Sequence, residues 1–273
     1  MEGLPWKIDG AGRRGGWQNR MPDVPGKTGA MARRRVLAEV AVEDDGSFNI
    51  AVPADTPIQL QLLDGNGLAL RSCAWIWARN HESRGCIGCH EDGELTPEDR
   101  FAKALATGSV IVAPGAVRRP APDFRHDLLP LVRSKCVACH SQGQSQPDLS
   151  DRASPVEEAR TARWVYEQLL APGARSDLRS ANGKYVQPGK ARTSPLVWHV
   201  LGRNASRPWD GPSREGPCKP IPDSRTAPLT EADKRAFIEW VDTGAAWDSR
   251  AATPEADEQR TPGERGMRER GGM

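Results

Sequence analysis

Two short stretches, Cys86-Ile87-Gly88-Cys89-His90 and Cys136-Val137-Ala138-Cys139-His140, decide how this chain is organised. Both read C-x-x-C-H, the pattern typical of covalent c-type haem attachment. The spacing has a chemical reason. Two thiols three positions apart can each bond one vinyl group of the same porphyrin, and the His that follows supplies a nitrogen to the iron. The sequence therefore predicts two covalently bound c-type haems, with His90 and His140 as iron ligands.

Two other kinds of site could use the same cysteines. A structural zinc site would take four thiolates from the two C-x-x-C pairs. It would leave both following histidines unexplained, and the 46 residues between the pairs are long for a zinc ribbon. A thioredoxin-type redox motif would need a βαβ pattern, which surrounds neither copy. We favour two haems and keep a zinc-stapled binding module as the alternative.

The composition indicates a loop-rich chain whose core includes cofactors. Its 273 residues contain 27 Gly and 23 Pro, only 37% are hydrophobic, and the formal net charge is +2. This charge indicates no nucleic-acid partner, and no stretch is apolar enough for a transmembrane segment. Since c-type haem is normally attached outside the cytoplasm, we expect a periplasmic or otherwise extracytoplasmic protein. Residues 1–30 lack the apolar run of a signal peptide, so we expect a fragment, a mis-assigned start or the C-terminal part of a longer exported polypeptide.

Hydrophobic periodicity predicts an α+β fold in five segments. Residues 1–34 read as an irregular arm, and residues 35–80 as a small antiparallel β-sandwich-like module. Residues 81–118 carry the first haem motif and end in a proline-rich linker. Residues 119–248 read as a mainly α-helical cytochrome c-like domain with the second haem, and 249–273 as a disordered tail. The four strands are expected within 36–42, 47–52, 58–63 and 68–77.

Helix-start signals place helices on both sides of the linker. Thr96 and Asp99 form a predicted capping box for a helix that would carry Phe101. Residues 123–132 predict an amphipathic helix that delivers the second haem motif. Further helix starts are expected at Ser154-Pro155, at Ser194-Pro195 and, as a capping box, at Thr230 and Asp233, with Gly202 and Gly244 ending the last two helices.

The second axial ligand of each iron must come from the remaining Met, His and Cys residues. Met occurs only at positions 1, 21, 31, 267 and 273, so a Met/His iron is not expected. His199 lies on a Trp-flanked helix 59 residues after His140 and is the candidate distal ligand of the second haem, against an ordinary buried His. We expect His126 on a solvated helix face, with the first haem as its alternative partner, and His81 in a loop.

The first haem has no evident sixth ligand in the sequence. An open iron there would allow small-molecule chemistry, with Glu91, Asp92 and Glu94 as the nearby acid/base candidates. Equally, the missing ligand could come from a partner or from a further domain. Cys73 and Cys218 could form a disulfide or remain free thiols, and a Cys218 thiolate is a further candidate iron ligand.

Several motifs outside the haem sites resemble a known family. In the second half, Gly183-Lys184-Tyr185-Val186-Gln187-Pro188-Gly189 and Trp240-Val241-Asp242-Thr243-Gly244-Ala245 resemble planctomycete-type cytochrome c domains. The first half adds Val52-Pro53-Ala54-Asp55-Thr56-Pro57 and the Arg84-Gly85 pair before the first motif. Together, over residues 35–248, they resemble the C-terminal dihaem part of proteins related to the hydrazine synthase alpha subunit.

That resemblance implies a β-rich module followed by two c-type haems, often behind a β-propeller. In hydrazine synthase a Tyr shortly after the His of the first motif approaches the iron, whereas Glu91–Glu94 of this chain contains no Tyr. We therefore favour an exported dihaem electron-transfer module whose partner is a redox protein or a β-propeller domain or subunit. The alternative is a haem enzyme, hydrazine synthase-like or acting on other small nitrogen or oxygen species, with an open first haem.

Overall fold

The computed structural model describes residues 2–3, 34–73, 75–86, 101–112, 119–141, 147–150, 158–170, 184–210 and 228–249. In these ranges the α-helices are α1 (Lys103–Thr107), α2 (Leu129–Lys135), α3 (Glu158–Leu170), α4 (Pro195–Leu201) and α5 (Glu231–Asp242). A π-helical turn (Phe124–Leu128) runs into α2, and a 3-10 turn (Ala191–Thr193) precedes α4. The strands are β1 (Glu2–Gly3), β2 (Arg34–Val36), β3 (Ile50–Ala51), β4 (Gln61–Leu63), β5 (Ala69–Ser72), β6 (Val110–Ile111) and β7 (Arg119–Pro120). None of the described helices combines the length and apolar character that a bilayer-crossing segment needs.

Helices α2 to α5 and the π-helical turn share one large hydrophobic core. At its centre Phe124 packs against Trp240 and Tyr166, with ring centroids 5.6 and 5.3 Å apart. Phe124 and Trp240 are completely buried, and the Tyr166 hydroxyl donates a hydrogen bond to the Ala245 carbonyl at 3.0 Å. Aromatic rings bury the largest apolar areas of any side chains, so this cluster holds the helices around the second haem motif.

The helix ends of this core match the predictions. The Thr230 side chain accepts a hydrogen bond from the Asp233 N–H (3.1 Å), and the Asp233 carboxylate accepts one from the Thr230 N–H (2.8 Å), which confirms the predicted capping box of α5. Helix α4 starts directly after Ser194 and stops where Gly202 turns left-handed (φ 67°), also as predicted. The Ser194 hydroxyl does not cap α4. It accepts a hydrogen bond from the Gln187 N–H at 2.8 Å instead.

Strands β4 and β5 form the predicted antiparallel hairpin. Gln61 pairs with Ser72, and the Asp64 carboxylate accepts hydrogen bonds from the backbone N–H groups of Asn66 (2.9 Å) and Leu68 (3.0 Å) across the turn. These bonds close the turn in the way that Asp commonly does. The hairpin was expected inside a separate β-module, but Leu68 is completely buried in the large helical core. The β4–β5 hairpin therefore packs into the same core as helices α2 to α5.

The other strand pairings differ from the predicted four-stranded antiparallel arrangement. Strand β2 pairs with β1 and with β7, both antiparallel, and β3 pairs in parallel with β6. Two of the strands expected to neighbour one another, β2 and β3, thus pair with segments from other parts of the chain. Alternation of apolar residues indicates a strand but does not name its partner, least of all for strands of two or three residues. A small second core of Leu37, Ile58 and Val112 lies among these strands.

Three further predictions at the element ends need correction. Helix α1 starts at Lys103 and is preceded by Ala102, which makes no side-chain cap, so Phe101 lies outside the helix and is 75% exposed. Thr96 and Asp99 lie outside the described residues. Strand β1 lies in the stretch predicted as an irregular arm. Ser249, assigned to the disordered tail, is anchored by a hydrogen bond from its hydroxyl to the Ala121 carbonyl at 2.7 Å.

Candidate haem site at Cys136, Cys139 and His140

The second C-x-x-C-H motif lies on the turn that ends helix α2. The Cys136 N–H donates to the Val132 carbonyl at 2.9 Å, as the last hydrogen bond of the helix. The Cys136 carbonyl then accepts from the N–H groups of both Cys139 (3.1 Å) and His140 (3.0 Å). This tight turn brings two thiols and one imidazole to the same place, which is the arrangement that covalent haem attachment needs.

A backbone carbonyl orients the His140 ring. His140 Nδ1 lies 2.9 Å from the Pro147 carbonyl oxygen, so the Nδ1–H donates and Nε2 is left with the lone pair that can bind a metal. The Leu149 N–H donates back to the His140 carbonyl at 2.7 Å. Residues 147–150 are all buried, although their Pro, Asp and Ser residues are typical of an exposed loop. This short segment thus holds the ring and the backbone of His140 together.

The electrostatic surroundings keep the imidazole of His140 neutral. Burial lowers its pKa below the ordinary value, the hydrogen bond to Pro147 opposes that shift, and His199 lowers the pKa further while Asp148 raises it. A neutral imidazole is the form that binds a metal. Burial also raises the pKa of the Cys136 thiol to about 12, with Cys139 adding to the effect, so this thiol is protonated at neutral pH.

The predicted distal ligand, His199, lies on helix α4. Trp198, next to it, anchors the helix through a hydrogen bond from its indole N–H to the Arg192 carbonyl at 2.7 Å. His199 is partly buried, and its charge contributes to lowering the pKa of His140. The role of His199 as an iron ligand stays a prediction.

Partly buried apolar side chains pack, as Cys136 does, on the outside of the large core. They lie on α2, α3, α4 and the segment before α5, and they pack on the large core: Leu131, Trp164, Leu196, Leu201 and Leu229. A porphyrin presents two broad apolar faces, and side chains of this kind suit them. With two thiols on one turn and a neutral imidazole fixed through Nδ1, the residues present fit a c-type haem.

Most of the first motif lies outside the described residues. Cys86 is exposed, and Cys89, His90, Glu91, Asp92 and Glu94 are not described. Cys73 is not in a disulfide, and its sulfur accepts a hydrogen bond from the Leu60 N–H at 3.1 Å. Cys218 lies outside the described residues. Because Cys73 is a free thiol, the predicted disulfide between the two is absent, and the free thiol and the iron ligand stay predictions for Cys218.

The remaining histidines occupy other surroundings. His81 lies in an exposed loop with φ 59°, as predicted. His126 Nδ1 donates to the Asp123 carboxylate at 2.9 Å, and its side chain is 35% exposed. Asp248 completes a group that could hold a metal ion. However, the Asp123 carboxylate already accepts hydrogen bonds from the backbone N–H groups of His126 (2.8 Å) and Ser249 (3.1 Å), so it serves to cap the π-helical turn.

Sequence reasoning missed the segment that orients His140. Pro147, Asp148, Leu149 and Ser150 read as loop residues, because the polar Asp and Ser hid the burial of the segment. One signal was present. Asp followed two positions later by Ser is typical of a turn closed by the Asp side chain. In such a turn the Asp side chain accepts a hydrogen bond from a backbone N–H, so this N–H stays bonded although the segment is buried.

Comparisons with known proteins agree on one relationship. A family model described as the hydrazine synthase alpha subunit middle domain matches residues 11–91. Hydrazine synthase subunit alpha of Kuenenia stuttgartiensis is 26% identical over 283 aligned residues, which cover 81% of this chain and 34% of that protein. The solved structure of Kuenenia stuttgartiensis hydrazine synthase matches with a TM-score of 0.62 at 26% identity, over 80% of this chain and 34% of the solved one.

The chain thus spans about a third of the length of the curated relative that it matches. These findings confirm the resemblance to hydrazine synthase alpha subunit-related proteins that the sequence motifs predicted. The chain is thus similar in sequence to hydrazine synthase subunit alpha and in structure to the solved hydrazine synthase.

Proposed function

We propose that this chain is a c-type cytochrome that transfers electrons through covalently bound haem. One observation carries the proposal: the turn at Cys136 to His140 brings both thiols together with an imidazole whose Nδ1 is held by the Pro147 carbonyl. A zinc site would use the two thiols but would give no reason for a fixed imidazole directly after them.

Each residue of the site has a defined task in this proposal. Cys136 and Cys139 would hold the haem through thioether bonds, and His140 and His199 would be its iron ligands. When bound, the haem supplies a one-electron couple, and two imidazole ligands in place of Met favour a fairly low potential.

The proposal extends to the first motif on sequence grounds alone. Cys86, Cys89 and His90 would hold a second haem. Covalent attachment of two haems would place the protein in the periplasm or another extracytoplasmic compartment. Because the relative is a named subunit and this chain spans about a third of it, we propose that a redox protein, a β-propeller domain or another subunit is its partner.

Haem staining of a denaturing gel tests the attachment, since only thioether-bound haem remains with the polypeptide. The wild-type chain, produced with a c-haem maturation system, should stain. The Cys136→Ala/Cys139→Ala variant should lose about half of the haem per chain, and the Cys73→Ala variant should keep all of it. An unstained wild-type chain that binds zinc would replace the proposal with the zinc-stapled module.

Carbon monoxide tests the iron ligands, because it binds reduced haem only at an open position. In the His199→Ala variant the second haem should bind carbon monoxide and shift its absorption spectrum. In the His126→Ala variant the spectrum should match that of the wild type. If His199→Ala leaves the second haem unreactive, another group is its sixth ligand.

A second candidate function is catalysis at the first haem, and the name of the relative, a synthase, favours it. It would act on a small nitrogen or oxygen species, with Glu91, Asp92 or Glu94 as acid/base groups. Carbon monoxide also separates the two functions. A shift of about half the haem in the wild-type protein supports an open first iron, whereas no shift makes both irons six-coordinate and leaves electron transfer.

A further inference from the structure

The segment behind His140 contains a buried carboxylate with no assigned role. Asp148 is 7% exposed and lies between Pro147, whose carbonyl accepts from the His140 ring, and Leu149, whose N–H binds the His140 carbonyl. Its Oδ1 accepts hydrogen bonds from the Ser150 N–H (3.0 Å) and the Ser150 hydroxyl (2.6 Å). Burying a carboxylate is costly, so a buried one at this position calls for a reason.

The same turn occurs a second time in an exposed place. Asp45 Oδ1 accepts hydrogen bonds from the Ser47 N–H (3.0 Å) and the Ser47 hydroxyl (2.6 Å), and both Asp44 and Asp45 are exposed to solvent. The two turns therefore share these two hydrogen bonds and differ in burial. Turn formation and a further hydrogen bond from the Lys103 N–H to Asp45 Oδ2 (2.9 Å) account for Asp45. Turn formation does not by itself explain a charge buried beside His140.

We propose that Asp148 is a positioning residue for His140, and that its buried negative charge lowers the reduction potential of the second haem. This inference rests on the proposed function. The hydrogen-bonded turn holds the Pro147 carbonyl against the imidazole and the Leu149 N–H against the backbone carbonyl of His140, so Asp148 would act on the iron through His140. The charge acts as well. Reduction adds one electron from the redox partner to a site that already has a negative neighbour in a poorly screened interior, so the oxidised state is favoured.

The electrostatic surroundings of His140 support the direction of this effect. Asp148 acts on the imidazole as a negative charge, and it favours positive charge on that ring. A group that stabilises positive charge at the imidazole also stabilises the more positive, oxidised state of an iron bound to it. The same charge would be screened by water if the turn were exposed, as it is at Asp45.

A redox titration of the full-length, haem-loaded protein, followed in the visible spectrum, tests the proposal. The wave of the second haem is identified as the one absent from the Cys136→Ala/Cys139→Ala variant. At the wild-type midpoint of that wave, Asp148→Asn should raise the ratio of reduced to oxidised second haem by about three- to tenfold, where tenfold corresponds to 59 mV for a one-electron couple. The wave of the first haem should not move.

Two variants separate the charge from the turn. Asp45→Asn removes the same charge from the matching exposed turn and should leave both waves unchanged. Asp148→Glu keeps the charge and should stay within about twofold of the wild-type ratio. Asp148→Ser, which also removes the charge while keeping an oxygen that can close the turn, should reproduce the shift of Asp148→Asn if the latter folds poorly.

An unshifted second wave in Asp148→Asn, with a normal haem spectrum, overturns the proposal and leaves the proposed function intact. If Asp148→Glu shifts the second wave as much as Asp148→Asn does, the charge of Asp148 is not the cause of the shift. If neither Asp148→Asn nor Asp148→Ser attaches the second haem, Asp148 serves folding alone and the proposal fails. A wild-type protein without any second wave refutes the haem function itself, which is a different result.

Discussion

The two cores of the described structure differ sharply in size. The core around the second motif contains 22 buried residues, whereas the core among strands β2, β3 and β6 contains three. The strand region also leaves large apolar side chains exposed, among them Phe48 (46%) and Ile111 (74%). Since free energy of folding scales with the apolar area buried, the stability of the described fold resides mainly in the helical domain. The difference teaches that the candidate haem site at Cys136 to His140 lies on the larger of the two cores.

The largest expected effect comes from the centre of the large core. Trp240→Ala should destabilise the protein by about 3–5 kcal/mol, because it removes a completely buried indole and leaves a cavity. Chemical unfolding followed by circular dichroism measures this loss. Trp209→Ala is the matched control. That ring is 68% exposed and stacks only on the Arg207 guanidinium, so its loss should cost at most about 1 kcal/mol.

Leu68 tests where the hairpin belongs. Leu68→Ala should cost about 3 kcal/mol, because this side chain on the β4–β5 turn is completely buried in the large core. Leu62→Ala, in the same hairpin but 38% exposed, should cost less than about 1 kcal/mol. The free energy of unfolding of the two variants gives the comparison. If both variants lost equally little free energy of unfolding, the hairpin would not depend on the large core and would belong with the strand region.

Asp242 connects the β4–β5 hairpin to the 3-10 turn before α4 through hydrogen bonds, and its contribution to stability depends on pH. Its carboxylate accepts hydrogen bonds from the N–H groups of Ala69 (2.9 Å) and Ala191 (2.8 Å). Burial raises the pKa of Asp242 although those hydrogen bonds oppose the shift. The folded protein therefore binds this proton more tightly than the unfolded chain does. The stabilising contribution is complete below the ordinary Asp pKa of about 3.9 and is lost as the pH rises through the raised pKa.

Asp242→Asn should abolish this pH dependence and cost about 1–3 kcal/mol, because one amide oxygen cannot accept both hydrogen bonds. Unfolding free energies of the wild type and the variant, measured from pH 3 upward, give their difference at each pH. A difference that stays constant with pH would contradict the assignment to Asp242.

The smallest effect is expected in the strand region, at the ion pair between Lys103 and Asp44. The Lys103 ammonium lies 2.5 Å from the carboxylate, but the two side chains are 56% and 75% exposed. Exposed pairs of this kind contribute little, so Lys103→Ala should change the unfolding free energy by less than about 1 kcal/mol. The effect should shrink further in high salt. A loss comparable to that of Leu68→Ala would show that the strand region carries more of the stability than its small core suggests.

Local sequence signals were reliable where one or two neighbouring residues decide the outcome. The Thr230 and Asp233 capping box, the Gly202 helix end and the Asp64 hairpin turn follow from short-range chemistry, and the structure has all three. Strand partners were not predictable, because β3 pairs with a segment 60 residues away whose sequence carries no pairing code. The extent of α1 was also misjudged. A capping pattern marks where a helix can start, and packing decides whether it does.

The sequence by itself determined the chemistry of this protein: two thiols and a His on each motif, no Met near either motif, and the motifs that relate it to the hydrazine synthase alpha subunit. Spacing along the chain suffices there, because the groups that attach a haem are neighbours in sequence. Only the tertiary structure decided which carbonyl holds His140, and that the Asp148 turn is buried while the Asp45 turn is exposed. Those features join residues from separate elements, so they exist only once the large core has packed.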